Sequence, residues 1–260
     1  MSLLDPRERS AHGTAIKREV TGSVPIPPRT LVEESWRDFV YAEVWSRPGL
    51  DRRSRFLIAL SGAVIARSES DAELYTRGAL TSGMLSLAEL REMALHLAVY
   101  GGWSCGGLLD AVTTRVATEL HLAEPVLPPI RDAPWDAQAR FEEGTAEFVS
   151  VMGLNRGLPA SPYMEAIRNF VFGEIWCRYD GLDQRSRRWI TLVGVCESAA
   201  ETPMRTHLYA AMTSGNCTPD ELQEFVLQYG IHAGWPKAAM VHSIVFDMVS
   251  KIEGGLAFDG

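Results

Sequence analysis

The segment FVYAEVW at Phe39–Trp45 returns as FVFGEIW at Phe170–Trp176, 131 positions later in the chain. The segment LDRRSR at Leu50–Arg55 then returns as LDQRSR at Leu182–Arg187, and one inserted residue makes that distance 132. Three shorter pairs keep the same order, namely GTA at residues 13 and 144, TSG at 81 and 213, and GW at 102 and 234. A repeat of this length indicates two tandem copies of one structural unit.

Each copy has the sequence pattern of helices. Apolar residues recur at the three- and four-residue spacing of a helix face, as in Leu57, Leu60 and Val64. The stretches Ser86–Glu89 and Thr218–Glu221 both have the form of a helix capping box. No segment shows the sustained alternation of a half-buried strand. We therefore predict an all-α fold of two tandem helical repeats related by pseudo-two-fold symmetry.

The boundary between the copies is marked by proline. Leu122–Ile130 contains three prolines, which cannot continue a helix and favour a stiff extended segment. We predict a first repeat at residues 1–122, a linker at 123–138 and a second repeat at 139–260.

The composition excludes several classes of protein. The 260 residues include 33 acidic and 25 basic side chains, for a formal net charge of −8, so the concentrated basic face of a duplex nucleic-acid binder is not expected. The start of the chain lacks the apolar stretch of a signal peptide, and no later run reaches membrane-spanning length. We predict a cytoplasmic protein without nucleic-acid or membrane partners.

The four cysteines do not form a recognisable site. Cys105, Cys177, Cys196 and Cys217 include no Cys-x-x-Cys pair and no zinc-like arrangement with histidine. We expect free thiols and no metal site.

The repeated segments resemble the carboxymuconolactone decarboxylase family. Glu43–Arg55 is similar to the signature region of that family, His96–Gly102 to its later helix-to-turn segment, and Arg9–Gly22 to its N-terminal arm. The resemblance implies the helical fold shared with alkylhydroperoxidase D and an enzyme that needs no cofactor. It also implies a homo-oligomer, for which we predict three chains, each of them a pseudo-dimer. The peroxidase branch of the family uses a Cys-x-x-Cys pair, which this chain lacks.

The resemblance further implies a decarboxylase acting on a small carboxylated lactone or enolisable acid. Without a metal or pyridoxal, such an enzyme must bind the anionic substrate, stabilise a developing enolate and protonate carbon. Arginine, histidine and a carboxylate are suited to these tasks.

The family's histidines fall on different copies. One falls on His207, where the first copy has Tyr75, and another falls on His96, where the second copy has Gln228. Each copy thus departs from the family pattern at one histidine, and a composite pocket would combine residues from both copies.

Positions four residues further along the helix carry a second polar group in each copy. Tyr100 lies four residues after His96, and His232 occupies the equivalent place in the second copy. We predict His207 as the leading acid and base, because imidazole titrates near neutral pH, with Glu174 or His232 orienting it. His96 is a further catalytic candidate.

Glu43 and Glu174 are equivalent carboxylates in mostly apolar helices. A carboxylate on that background is costly unless it is paired, so a functional role and an ion pair with arginine are both open. Among the equivalent arginines, we predict Arg55 and Arg187 as anchors for the substrate carboxylate.

Several aromatic residues are candidates to line the site. Trp103 and Trp235 follow the glycine turns where the family carries a smaller residue, so their rings would reshape the pocket for a larger or more aromatic substrate. The predicted substrate-lining aromatics are Tyr75, Tyr100, Trp103, Trp176 and Trp235.

Two other functions stay open from the sequence. The same proton-transfer groups would serve a cofactor-free isomerase or ring-opening enzyme in aromatic catabolism or natural-product biosynthesis. Alternatively, the alternating loss of histidine fits a non-catalytic binding or assembly module. Convergence of His207 with His96 or Tyr100 on one cavity would favour the enzyme.

Overall fold

A computed structural model describes residues 4–131, 136–154 and 160–259. Within these ranges every regular element is a helix, which confirms the predicted all-α fold. Residues 132–135 of the predicted linker lie outside the described ranges, so the predicted repeat boundaries stay a prediction.

The two copies contain the same series of helices. The first consists of α1 (Pro6–Thr21), α2 (Leu31–Ser35), which continues into the π-helix π1 (Trp36–Trp45), α3 (Arg52–Ile65), α4 (Glu69–Thr81), α5 (Leu87–Gly101) and α6 (Trp103–Glu119). The second consists of α7 (Ala137–Met152), α8 (Pro162–Ala166), which continues into π2 (Ile167–Trp176), α9 (Gln184–Glu197), α10 (Glu201–Thr213), α11 (Pro219–Ala233) and α12 (Trp235–Glu253).

Equivalent side chains begin equivalent helices. The side chain of Asp51 accepts a hydrogen bond from the Ser54 backbone at the start of α3, and Asp183 does the same at the start of α9. The predicted capping boxes are present at the starts of α5 and α11. The helix starts therefore follow from local sequence, because each cap satisfies backbone N–H groups that lack a partner within the helix.

The copies exchange helices across the pseudo-two-fold axis. Helices α3 and α9 pack against each other at the centre of the molecule. Helix α5 of the first copy crosses onto α9 and π2 of the second, and α11 crosses in return onto α3 and π1. Any site beside α3 or α9 is consequently built from both copies.

Two glycines allow this close crossing. A Cβ atom at Gly194 in α9 would lie 2.7 Å from the Cβ of Tyr100, and one at Gly62 in α3 would lie 3.2 Å from the Cβ of His232. The absence of a side chain at both positions lets the partner helix approach and brings Tyr100 and His232 to equivalent places.

The backbone of the proline-rich segment accepts hydrogen bonds from a side chain of the second copy. Arg178 donates hydrogen bonds to the carbonyls of Pro128 (2.9 Å) and Pro129 (2.8 Å). Arg91 forms an ion pair with Glu124 at the start of the segment.

The cysteines are free thiols, as expected. Cys105, Cys196 and Cys217 are buried and Cys177 is exposed. Among the described helices, none is both long and apolar enough to cross a bilayer.

Candidate active site

A cavity of about 310 Å³ lies where α5 of the first copy meets the second copy. Its wall comes from α7, α8, π2, α9 and α10, and α5 closes one side. The described lining residues are Val99, Tyr100, Phe148, Met152, Tyr163, Ile167, Val171, Phe172, Gly194, Val195, Ser198, Pro203 and His207.

The polar end of the cavity pairs one side chain from each copy. The rings of Tyr100 and His207 contact each other edge to face, with centroids 5.8 Å apart. The indole Nε1 of Trp176 donates a 2.7 Å hydrogen bond to the Tyr100 hydroxyl oxygen. Burial raises the pKa of Tyr100, so its hydroxyl keeps its proton and can donate it to a bound molecule.

Behind His207 lies a buried arginine without a carboxylate partner. The side chain of Arg188 is 0% exposed and donates to the Val151 carbonyl (2.5 Å) and the Asn216 side-chain oxygen (3.2 Å). Among the described residues no carboxylate lies within ion-pair distance of it. Burial lowers the pKa of Arg188 to about 10, which still leaves it charged near neutral pH. An unpaired buried cation beside a cavity favours an anionic ligand there.

The same arginine fixes the tautomer of His207. One guanidinium nitrogen of Arg188 lies 3.5 Å from Nδ1 of His207, and a guanidinium can only donate. Nδ1 therefore accepts and the imidazole proton sits on Nε2. Burial and, after it, the charge of Arg188 lower the pKa of His207 to about 3. Near neutral pH, His207 is a neutral hydrogen-bond donor.

His96 lies behind the cavity instead of lining it. Its Nε2 is 2.8 Å from the Thr191 hydroxyl and its Nδ1 is 3.4 Å from a guanidinium nitrogen of Arg187. The ring also packs against Tyr100 at 5.1 Å. Burial, followed by the charge of Arg187, holds the pKa of His96 well below its usual range. His96 thus supports Tyr100 from the protein side.

The arginines predicted to anchor substrate have carboxylate partners of their own. Arg187 is buried and forms an ion pair with Glu92 of the first copy at 3.1 Å. Arg178 forms a second ion pair with the same carboxylate at 2.5 Å. Arg187 also donates to the carbonyl oxygens of Leu182 and Arg178. This geometry favours a structural role for Arg187, in a cluster that joins the two copies.

An equivalent cluster joins the copies on the other side of the axis. Arg55 and Arg47 contact Glu224 of the second copy at 2.8 Å and 2.5 Å. Arg55 is fully buried and donates a further hydrogen bond to the Gln228 side chain. The same structural role is favoured for Arg55.

The two predicted acidic residues are ion-paired away from His207. Glu43 pairs with Arg9 at 3.1 Å, and Glu174 with its equivalent Arg140 at 3.4 Å and also with Arg131. Arg9 and Arg140 belong to α1 and α7, so the ion pair with arginine that the sequence left open is present in both copies. Glu174 faces a different cavity of about 500 Å³, which borders the proline-rich segment and is lined by neither His96 nor His207.

In the first copy, aromatic rings occupy the positions that are equivalent to Arg188 and His207. Phe56 stands where the second copy has Arg188, and Tyr75 stands where it has His207. His232 packs against Tyr75 at 5.7 Å and against Trp36 at 5.9 Å. His232 thus lies outside the cavity that contains His207, as does Tyr75.

The turn tryptophans lie on the surface. Trp103 is 67% exposed and stacks on Phe170, and Trp235 is 54% exposed with its edge against Phe39. Neither lines the cavity, so they do not reshape it as expected. Trp176, by contrast, is buried directly behind Tyr100.

Arg188 and Thr191 were not among the site residues predicted from the sequence. The signal for Arg188 was present, since LDRRSR is followed by phenylalanine and its repeat LDQRSR by arginine. Thr191 replaces Ala59 of the first copy, and only the crossing of α5 over α9 brings its hydroxyl to His96. In the described part of the chain, no group of three His, Cys, Asp or Glu side chains is arranged to hold a metal ion.

Comparison with known proteins places the chain in a family. The model of the carboxymuconolactone decarboxylase family matches twice, at residues 31–104 and 161–244. Nitrosuccinic acid decarboxylase of Metarhizium robertsii is 40% identical over 98 residues, which cover 35% of this chain and 68% of that protein.

A second relative corresponds to half of the chain. The 4-carboxymuconolactone decarboxylase of Acinetobacter baylyi is 29% identical over 140 residues, which cover 50% of this chain and 96% of that protein. The chain therefore belongs to the carboxymuconolactone decarboxylase family, with two family segments in one polypeptide, and is a decarboxylase-type carboxy-lyase.

Proposed function

We propose that the cavity binds a small acid whose carboxylate lies next to an electron-accepting lactone, carbonyl or nitro group, and releases that carboxylate as carbon dioxide. The observation that carries this proposal is the meeting of Tyr100 and His207 in one cavity beside the unpaired Arg188. The names of the two relatives contain such acceptors, a nitro group in one and a lactone in the other.

The reaction needs donors where negative charge develops. When the carbon–carboxylate bond breaks, its electron pair passes into the acceptor and leaves charge on an acceptor oxygen. The Tyr100 hydroxyl and the His207 Nε2–H donate to that oxygen, and the charge of Arg188 stabilises it from behind. Donors that are already oriented stabilise the transition state more than freely moving solvent would.

Tyr100 is the residue best placed to protonate the carbon. A neutral imidazole with a low pKa is a poor acid, so His207 acts by donating a hydrogen bond. Burial raises the pKa of Tyr100, and the hydrogen bonds from Trp176 and Thr191 and the charge of Arg188 offset part of that rise and so assist loss of the proton. A proton from water then restores the phenol, and the net change is one carboxylate and one proton converted to CO₂ and a C–H bond.

The assembly of three chains remains part of the proposal. Light scattering of the purified protein tests it, since three chains of 28.7 kDa give about three times the mass of one. A mass corresponding to one chain would contradict the predicted homo-oligomer.

The function is tested by CO₂ release from a panel that includes 4-carboxymuconolactone and nitrosuccinate. We expect release from at least one acid of this class by the wild-type protein, and a loss of about 100-fold or more in Tyr100→Phe. A substrate that changes its ultraviolet spectrum but releases no CO₂ would indicate an isomerase instead.

The pseudo-symmetry provides a matched control. Tyr75→Phe removes a phenol hydroxyl at the first-copy position that is equivalent to His207, where Tyr75 packs against Trp45 and His232. We expect Tyr75→Phe to keep its rate within about threefold of wild type. Equal losses in the two variants would contradict a single site in the second copy.

A further inference from the structure

The charges around the cavity restrict the substrate more narrowly than the proposed reaction does. None of the described lining residues is charged near neutral pH, because His207 is neutral there. Arg188, directly behind His207, has no carboxylate partner among the described residues. Arg178 and Arg187, the other buried arginines at this junction, both pair with Glu92.

The wall formed by α7 and π2 is apolar. Phe148 and Phe172 meet edge to face with centroids 5.0 Å apart, and Ile167 and Val171 extend the same surface. A carboxylate pressed against this wall would lose its hydration without gaining a partner, which costs several kcal/mol. An aryl or alkyl group there would instead bury apolar surface favourably.

The volume sets the size of the ligand. At about 30 Å³ for each liquid water, 310 Å³ corresponds to about ten water molecules. A ring or short chain together with one carboxylate fills such a space.

We propose that this cavity selects acids that carry a single carboxylate on an aryl- or alkyl-substituted body. The carboxylate and its electron-accepting neighbour lie at the end formed by Tyr100 and His207, and the apolar body lies against Phe148 and Phe172. This inference rests on the proposed function for the location of the reacting end, and it concerns the specificity of the same site.

Two unreactive acids test the inference without requiring turnover. 3-Phenylpropanoate and succinate share a carboxylate on two methylene groups and differ in carrying a phenyl ring or a second carboxylate. By isothermal titration with the full chain, we expect 3-phenylpropanoate to bind at least about tenfold more tightly than succinate. Equal binding, tighter binding of succinate, or no binding of 3-phenylpropanoate would overturn the inference.

One substitution should shift this preference. Phe148 has Lys17 as its equivalent in the first copy, and the position is half-buried, so Phe148→Lys introduces a cation into the apolar wall. We expect the ratio of the two dissociation constants to fall by about tenfold or more. Ser150→Lys, on the exposed face of the same helix, adds the same charge outside the cavity and should leave the ratio unchanged.

The outcomes separate the specificity from the reaction. Identical ratios in Phe148→Lys and Ser150→Lys would overturn the assignment of the apolar wall to the ligand body. If Phe148→Lys fails to fold, the wild-type ratio still decides. Preference for 3-phenylpropanoate without CO₂ release from any acid would overturn the proposed function alone, whereas CO₂ release mainly from dicarboxylates would overturn the specificity alone.

Discussion

The two junctions between the copies share one framework but differ in the side chains above it. Both have a buried glutamate from a crossing helix, Glu92 or Glu224, held by two arginines of the other copy. Above this shared cluster, the second-copy junction carries Arg188 and His207, and the first-copy junction carries Phe56 and Tyr75.

The difference separates structural residues from candidate chemistry. Residues present at both junctions hold the copies together, and residues present at only one are the candidates for catalysis. Among the described residues, the His232 Nε2 of the first-copy junction is buried without a hydrogen-bond partner, whereas its counterpart Tyr100 in the second accepts from Trp176. A fused repeat allows one junction to specialise while the other keeps a packing role.

The largest loss of stability is expected when the first-copy junction receives the arginine of the second. Phe56→Arg would place an unpaired charge among the rings of the first-copy junction and should lower the free energy of unfolding by more than about 4 kcal/mol. Urea denaturation measures this change. A loss below about 1 kcal/mol would mean that the first-copy junction can also hold a cation.

The reverse exchange should separate activity from stability. Arg188→Phe removes a buried unpaired cation, so we expect unchanged or greater stability together with a loss of about 100-fold in CO₂ release. Thermal unfolding and the rate are measured on the same preparation. A large loss of stability would contradict the idea that Arg188 is kept for its charge on the ligand.

The two glutamate–arginine clusters should lose similar stability when their glutamate is removed. Glu92→Ala and Glu224→Ala each leave buried arginines without their carboxylate, and each should cost about 3–5 kcal/mol of stability. Chemical denaturation of both variants gives the comparison. A large effect in only one would show that the two clusters are not equivalent supports.

A smaller effect concerns pH. The pKa of His207 is about 3 in the folded chain and 6.5 without the fold, so the unfolded state binds more protons between these values. The resulting stability is complete above pH 6.5 and is lost as the pH falls. Compared with wild type, His207→Gln should show a shallower decline between pH 6 and 4, by about 1 kcal/mol per pH unit. Identical slopes would contradict a neutral His207 in the folded chain.

Much of the fold could be predicted because it is encoded locally. The caps at Ser86 and Thr218 mark where helices begin, and the repeat shows that the copies are equivalent. The π-helical geometry of Trp36–Trp45 and Ile167–Trp176 was not predicted, since it depends on packing of the surrounding helices.

The candidate site was only partly predictable. The resemblance pointed to His207, His96 and Tyr100, but it could not distinguish a side chain lining a cavity from one behind it. The carboxylate partners of Arg55 and Arg187 are more than 90 positions away, on helices that cross only after both copies fold. Burial and crossing therefore decided which of the equivalent residues face a ligand.

We propose that only the second-copy junction binds and converts an acid. It is tested most directly by the number of 3-phenylpropanoate molecules bound per chain at saturation, measured by titration calorimetry on wild type and on Arg188→Phe. We predict one molecule per chain in the wild type and a loss of binding of about tenfold or more in Arg188→Phe. Two equivalent molecules per chain, or unchanged binding in Arg188→Phe, would contradict the claim.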